Sequence, residues 1–135
     1  MASDRLWRDT NQSLVILDTS AVLLPFEYSI DVFGELTRLL GQYQIIIPDV
    51  VIKELQQFQH RGDGKTAQHA KAALSLIKKF PVIATSMDAD EGIIEAATSL
   101  DAYVVTNDQG LRKRLQQKTK KVIYLRQKHY LVFDE

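Results

Sequence analysis

Seventeen of the 135 residues are Asp or Glu, and a few of them stand where carboxylates can do chemistry. Asp18 closes the apolar run Leu14-Val15-Ile16-Leu17, and Asp108 follows the apolar stretch Tyr103–Thr106. Asp88-Ala89-Asp90-Glu91 opens a helical pattern. Glu54 lies three residues after Val51 and four before Phe58. Val51, Leu55 and Phe58 form the stripe expected to face the core, so Glu54 borders a buried face and needs a partner. In open parallel α/β sheets, ligands collect outside the carboxyl ends of the strands. That rule sets Asp18, Asp108 and the helix-start acid Asp90 on one edge, and a Glu54 leaning toward them would make four carboxylates in one cleft. Like charges so close raise one another's pKa unless a cation neutralises them. Oxygen-only ligation selects a hard cation, Mg²⁺ or Mn²⁺.

Simpler uses exist for several of these acids. Asp88 with Glu91 three residues on is a capping-box pattern, and Asn107-Asp108 can cap a helix starting near Gln109. Asp101 precedes the 103–106 strand, about 15 Å from the active edge, and reads as a turn residue. Asp31 and Glu35 read as surface charge. Other chemistries drop out. With no cysteine there is no thiol nucleophile, thiolate zinc site or iron–sulfur cluster. His60, His69 and His129 share no metal-ligand spacing. No Gly-x-Ser-x-Gly elbow, Walker A loop or Gly-x-Gly-x-x-Gly fingerprint is present.

The elements that must position these acids are short. Leu14–Leu17, Ile45–Ile47, Ala102–Val105 and Val122–Leu125 are continuous apolar runs, as expected of strands buried on both faces. Residues 82–84 form either a fifth strand or a connector. Helical patterns fall around 30–41, 49–60, 65–79, 89–100 and 109–118. Alternating strands and helices mean βαβ units, hence an α/β fold in which helices cover a central parallel sheet of four to five strands. With 45% apolar and 25% charged residues, residues 14–135 read as one globular domain after a polar 1–13 segment. That segment has no apolar signal-peptide core, and no run is long enough to span a bilayer, so the expected location is cytoplasmic and no membrane partner is expected.

Taken in order, Leu-Val-Ile-Leu-Asp18-Thr-Ser-Ala, Ile-Ile-Pro-Asp-Val-Val-Ile-Lys-Glu54-Leu, Asp90-Glu-Gly-Ile-Ile-Glu-Ala-Ala and Tyr-Val-Val-Thr106-Asn107-Asp108 resemble the PIN domain, a family of small metal-dependent ribonucleases. The resemblance spans about residues 14–126. It implies an α/β/α sandwich, an acidic pocket holding Mg²⁺ or Mn²⁺, an RNA substrate, and commonly a homodimer. Residue by residue, Asp18, Glu54, Asp90 and Asp108 match the family's four acids. Ser20 matches the small polar residue after the first acid, and Thr106 the hydroxyl of the Thr-x-Asp motif that encloses Asn107. Asp88 and Glu91 flank the third position; Asp90 is chosen because Ile93 and Ala96-Ala97 follow at the family's spacing. Members similar in this way include stand-alone rRNA-processing nucleases and toxins of the VapC type, so the implied protein partner is an antitoxin or a ribosome-assembly factor.

The implied chemistry is hydrolysis of RNA phosphodiesters by a metal-activated water, without a covalent enzyme intermediate. The alternative is a PIN-fold RNA- or protein-binding module with little catalysis. A phosphohydrolase using Asp18 as nucleophile would need Asp-x-Asp, and Ser20 stands at the second position. The formal net charge of zero conceals a division. Residues 1–108 carry 9 Lys/Arg against 15 Asp/Glu, and residues 109–135 carry 8 against 2. Residues 112–121 hold six cations and no acid. With Leu111 and Leu115 facing the core, Arg112, Lys113, Arg114 and Lys118 are expected to line an RNA path leading from the cleft.

Overall fold

The computed structural model describes residues 12–85 and 88–135. In chain order the elements are β1 (Ser13–Leu17), α1 (Thr19–Glu27), α2 (Val32–Leu40), β2 (Tyr43–Pro48), α3 (Asp49–Arg61), α4 (Gly64–Ile77), β3 (Val82–Ile83), α5 (Ala89–Leu100), β4 (Tyr103–Val105), α6 (Gln109–Gln116), β5 (Val122–Arg126) and β6 (Tyr130–Phe133). Residues 1–11 of the polar N-terminal segment lie outside the described residues, and Ser13 already belongs to β1.

The six strands form one sheet ordered β3-β2-β1-β4-β5-β6. Neighbours are parallel as far as β5, and β6 returns antiparallel to it. The expected α/β sandwich is present, with six strands instead of four to five and with one antiparallel edge. The continuous apolar runs have the reason expected of them, because successive strand residues feed opposite cores. Val15, Leu17, Ile45 and Ile47 join α1–α4 on one face. Leu14, Ile16 and Ile46 join α5 and α6 on the other, through Ile93, Ala96, Leu111 and Leu115.

The structure departs from the sequence pattern at four places. Helix α1 follows directly on Asp18, where no helical pattern was expected. It is apolar nearly all round and carries Pro25 in its last turns, so it lacks the one-sided periodicity that marks surface helices. Strand β6 arises from a tight turn in which Gln127 and Lys128 both take positive φ, 56° and 60°, and the His129 amide donates to the Arg126 carbonyl at 3.1 Å. That is the geometry of a hairpin turn normally announced by Asn or Gly, and neither is present here. Phe58, expected in the core stripe of α3, is 36% exposed, while Val51 and Leu55 are buried. Glu35 is more than surface charge: it accepts from the Leu131 amide at 2.9 Å, and Arg38 donates to the Leu131 carbonyl at 2.7 Å, tying α2 to β6.

Candidate acidic site

The sheet register builds the centre of the site. Leu17 pairs with Val105 across β1 and β4, so the next residue on each strand, Asp18 and Thr106, emerges on the same edge. Both are buried, at 4% and 0% exposure. Asp18 also caps α1. Its Oδ1 accepts from the Ala21 amide and from Ser20 Oγ, each at 2.7 Å, and Thr106 Oγ1 donates to its Oδ2. The network continues into the next loop. Asn107 donates its backbone amide to Ser20 Oγ at 2.8 Å, and the Asp108 amide donates to Thr106 Oγ1 at 3.0 Å. Ser20 and Thr106 therefore hold the Asp18 carboxylate and the 106–108 loop in one arrangement.

The other acids approach from separate elements. Asp108 caps α6, its Oδ1 accepting from the Gly110 and Leu111 amides at 2.8 and 3.2 Å. Asp90 is half-buried in the first turn of α5, which Asp88 precedes as N-cap without a side-chain cap bond, so the capping box is not formed. Gly92 lets α5 lie close to the strand-end loop, since a Cβ there would stand 2.9 Å from Thr85 Cβ. Thr85 is in turn held by Asp49 at the start of α3, which accepts from its amide at 3.1 Å and its hydroxyl at 2.7 Å. Glu54, half-buried on α3, accepts from Thr19 Oγ1 at 2.9 Å. Thr19, Asp49 and Thr85 were not singled out in the sequence. Thr19 alone had a signal, as a hydroxyl directly after the strand-end acid.

Electrostatics couple this set. Burial pushes the Asp18 carboxyl up to about 6 against the hydrogen bonds from Thr106, Ser20 and Ala21, and the charge of Asp108 adds to the rise. Asp90 is raised in the same way, by burial first and then by Asp108, while Arg114 opposes the shift. Among the described residues, no three His, Cys, Asp or Glu side chains converge closely enough to hold a metal ion. The acids ring one edge without forming a closed cluster. Their donor chemistry fits a hard cation: every donor is a carboxylate or hydroxyl oxygen, and the buried Asp18 has the acid Asp108 but no cation among the groups that shift it.

The basic residues are not all free to form an RNA path. Arg112 is bound to Asp134 through Nε at 2.8 Å and a second nitrogen at 3.2 Å, and its guanidinium lies 3.5 Å over the Tyr124 ring. It clamps α6 to the β5–β6 hairpin and cannot face outward as expected. Arg114 reaches Asp90 and Glu91, each at 3.7 Å. Lys113 and Lys118 are exposed. The three histidines join no metal-holding group among the described residues. No described helix is long and apolar enough to cross a membrane.

Residues 15–128 match the family described as PIN like domain. Ribonuclease VapC9 of Archaeoglobus fulgidus is 30% identical over 127 residues, covering 94% of this chain and 93% of that protein. Among solved structures, the PIN domain endonuclease Utp24 superposes with a TM-score of 0.68 at 21% identity, over 90% of this chain and 93% of that one. VapBC2 from Rickettsia felis, bound to a DNA fragment from its promoter, superposes at 0.62 and 17% identity, over 82% and 98%. With residues 15–128 matched by the family and a relative 30% identical over nearly its whole length, the chain belongs to the PIN-like domain family.

Proposed function

We propose that this protein is a metal-dependent endoribonuclease whose centre is Asp18. The observation that carries this reading is a buried carboxylate at the meeting of two parallel strand ends, raised by burial and by Asp108, with Asp90 and Glu54 on neighbouring helices. The similarity to a VapC ribonuclease supports RNA as the substrate, the likeness to VapBC2 favours an antitoxin-type partner, and pairing with a second copy of the chain is part of the same proposal.

Drawn closer together than the open ring seen among the described residues, Asp18, Glu54, Asp90 and Asp108 would hold Mg²⁺ or Mn²⁺. When bound, such an ion supplies a water nucleophile near neutral pH and charge stabilisation at the scissile phosphate. The chain's own residues do the positioning. Ser20, Thr106 and the Ala21 amide fix both Asp18 oxygens. Thr19 orients Glu54 from the α1 side. The α6 cap holds Asp108 at the edge of β4. Lys113 and Lys118 offset the repulsion that an acidic edge exerts on phosphates.

A labelled single-stranded RNA incubated with Mn²⁺ and, separately, with EDTA tests this. Cleavage is expected with Mn²⁺ only. Removing a metal ligand should exceed the 10- to 100-fold typical of losing one of its supporting partners, so Asp18→Asn should lower the rate by more than about a hundredfold. Equal cleavage in EDTA, or an Asp18→Asn variant of undiminished rate, would overturn the reading.

A further inference from the structure

Two arginines of α6, separated by Lys113, behave differently. Arg112 is locked by two hydrogen bonds to Asp134, at 2.8 and 3.2 Å, and by the Tyr124 ring. Arg114 spreads its guanidinium between Asp90 Oδ2 and Glu91 Oε1, both at 3.7 Å, and stays 48% exposed. Those distances are ion pairs beyond hydrogen-bonding range. Such half-exposed pairs are weak and exchangeable. Yet one of the two partners is Asp90, which feels the repulsion of Asp108 and Asp88, with Arg114 as the cation opposing it.

We propose that Arg114 is a positioning residue that acts as a resident counter-ion for Asp90, and that it exchanges this carboxylate for an RNA phosphate when a divalent cation binds the acidic edge. The proposal rests on the metal-dependent reading above. Two groups cannot both neutralise Asp90 at full strength. A cation on Asp90 weakens its hold on Arg114, and the freed guanidinium is a planar fork suited to a phosphate. Arg114 thus competes with the metal in the absence of RNA and helps bind RNA once metal is present. Binding of metal and of RNA become coupled, and the coupling is reciprocal.

The test measures Mn²⁺ alone by calorimetry, and binding of a fluorescein-labelled 2′-O-methyl RNA, which resists hydrolysis, with and without Mn²⁺. Arg114→Gln should bind Mn²⁺ alone about two- to fivefold more tightly, the size of a half-exposed ion pair removed. The same variant should bind the RNA about tenfold more weakly in Mn²⁺, the loss of a charge-assisted contact, and show little change in EDTA. Arg114→Lys should restore the weaker Mn²⁺ affinity and only part of the RNA affinity, because it keeps the charge and loses the fork. A purely structural role would weaken both ligands together and lower the melting temperature. Wild-type Mn²⁺ binding with unchanged or weaker Mn²⁺ affinity in Arg114→Gln would overturn this proposal alone. A wild-type protein that binds no Mn²⁺ would overturn the metal-dependent reading and this proposal with it.

Discussion

Asp18 pays for its position in the metal-free protein. Its carboxyl sits near 6 where an ordinary aspartate sits at 3.8, chiefly through burial. A raised acid binds its proton more tightly folded than unfolded, so between about pH 4 and 6 the native state holds more protons. Stability from this group therefore rises as pH falls through 6, and its cost is fully present above that. The full shift corresponds to about 3 kcal/mol. In EDTA, Asp18→Asn should melt above the wild type at pH 7–8, and the gap should close toward pH 4. Added Mn²⁺ should reverse the order at pH 7, because the ion stabilises only the protein that binds it. Thermal melts across this pH range check both signs; a variant less stable at pH 8 in EDTA would refute the assigned cause. The strand-end placement of Asp18 and Asp108 was legible in the sequence, because Asp18 directly follows one apolar run and Asp108 comes three residues after another, Tyr103–Val105. Thr19 as Glu54's partner was not, because nothing in the chain across their separation of 35 positions carries a periodicity that brings α1 and α3 together.

The α6–hairpin junction was illegible for the same reason, and it changes the part Arg112 plays. Asp134, 22 residues further on, accepts from Arg112 and from Gln116, with its side chain 6% exposed. Strand β6 itself was missed because its turn places non-glycine residues at positive φ. The helix stripe Leu111 and Leu115 was readable from spacing, and both are buried. Arg112→Gln should leave Asp134 without its charged partner in a nearly closed environment, at a cost of about 2 kcal/mol in urea denaturation. Asp134→Asn should cost a similar amount. The double variant should lose about 1–2 kcal/mol less than the two separate losses together. Additive losses would mean that the pair does not act as a unit.

The division of charge along the chain becomes a spatial one in the fold. Acids gather where the parallel strands end, and the cations of residues 109–135 are sorted by their partners. Arg112 is bound to Asp134, and Lys121 lies 3.1 Å from Asp101 at the opposite end of β4. Lys113 and Lys118 are exposed on and just past α6, whose first turn starts at Asp108. Arg126 and Lys128 are exposed at the β5–β6 turn, on the same edge as Asp108 because β5 runs parallel to β4. These exposed cations therefore fall at two separate places, α6 with the residues just past it and the hairpin turn, and the composition could reveal the charge but not this split. With Arg112 occupied, an RNA strand along α6 meets Lys113, Arg114 and Lys118. Three phosphate contacts give a log–log salt slope of about −2.1 for single strands, at about −0.7 for each contact. Lys113→Gln with Lys118→Gln should flatten it to about −0.7, whereas Arg112→Gln should leave it unchanged. Fluorescence anisotropy of a labelled 2′-O-methyl RNA from 50 to 300 mM salt, with Mn²⁺ present so that Arg114 is released from Asp90, reads the slopes directly. If the lysine pair leaves the slope intact and Arg126→Gln with Lys128→Gln flattens it, the strand crosses the hairpin turn and the α6 path is wrong.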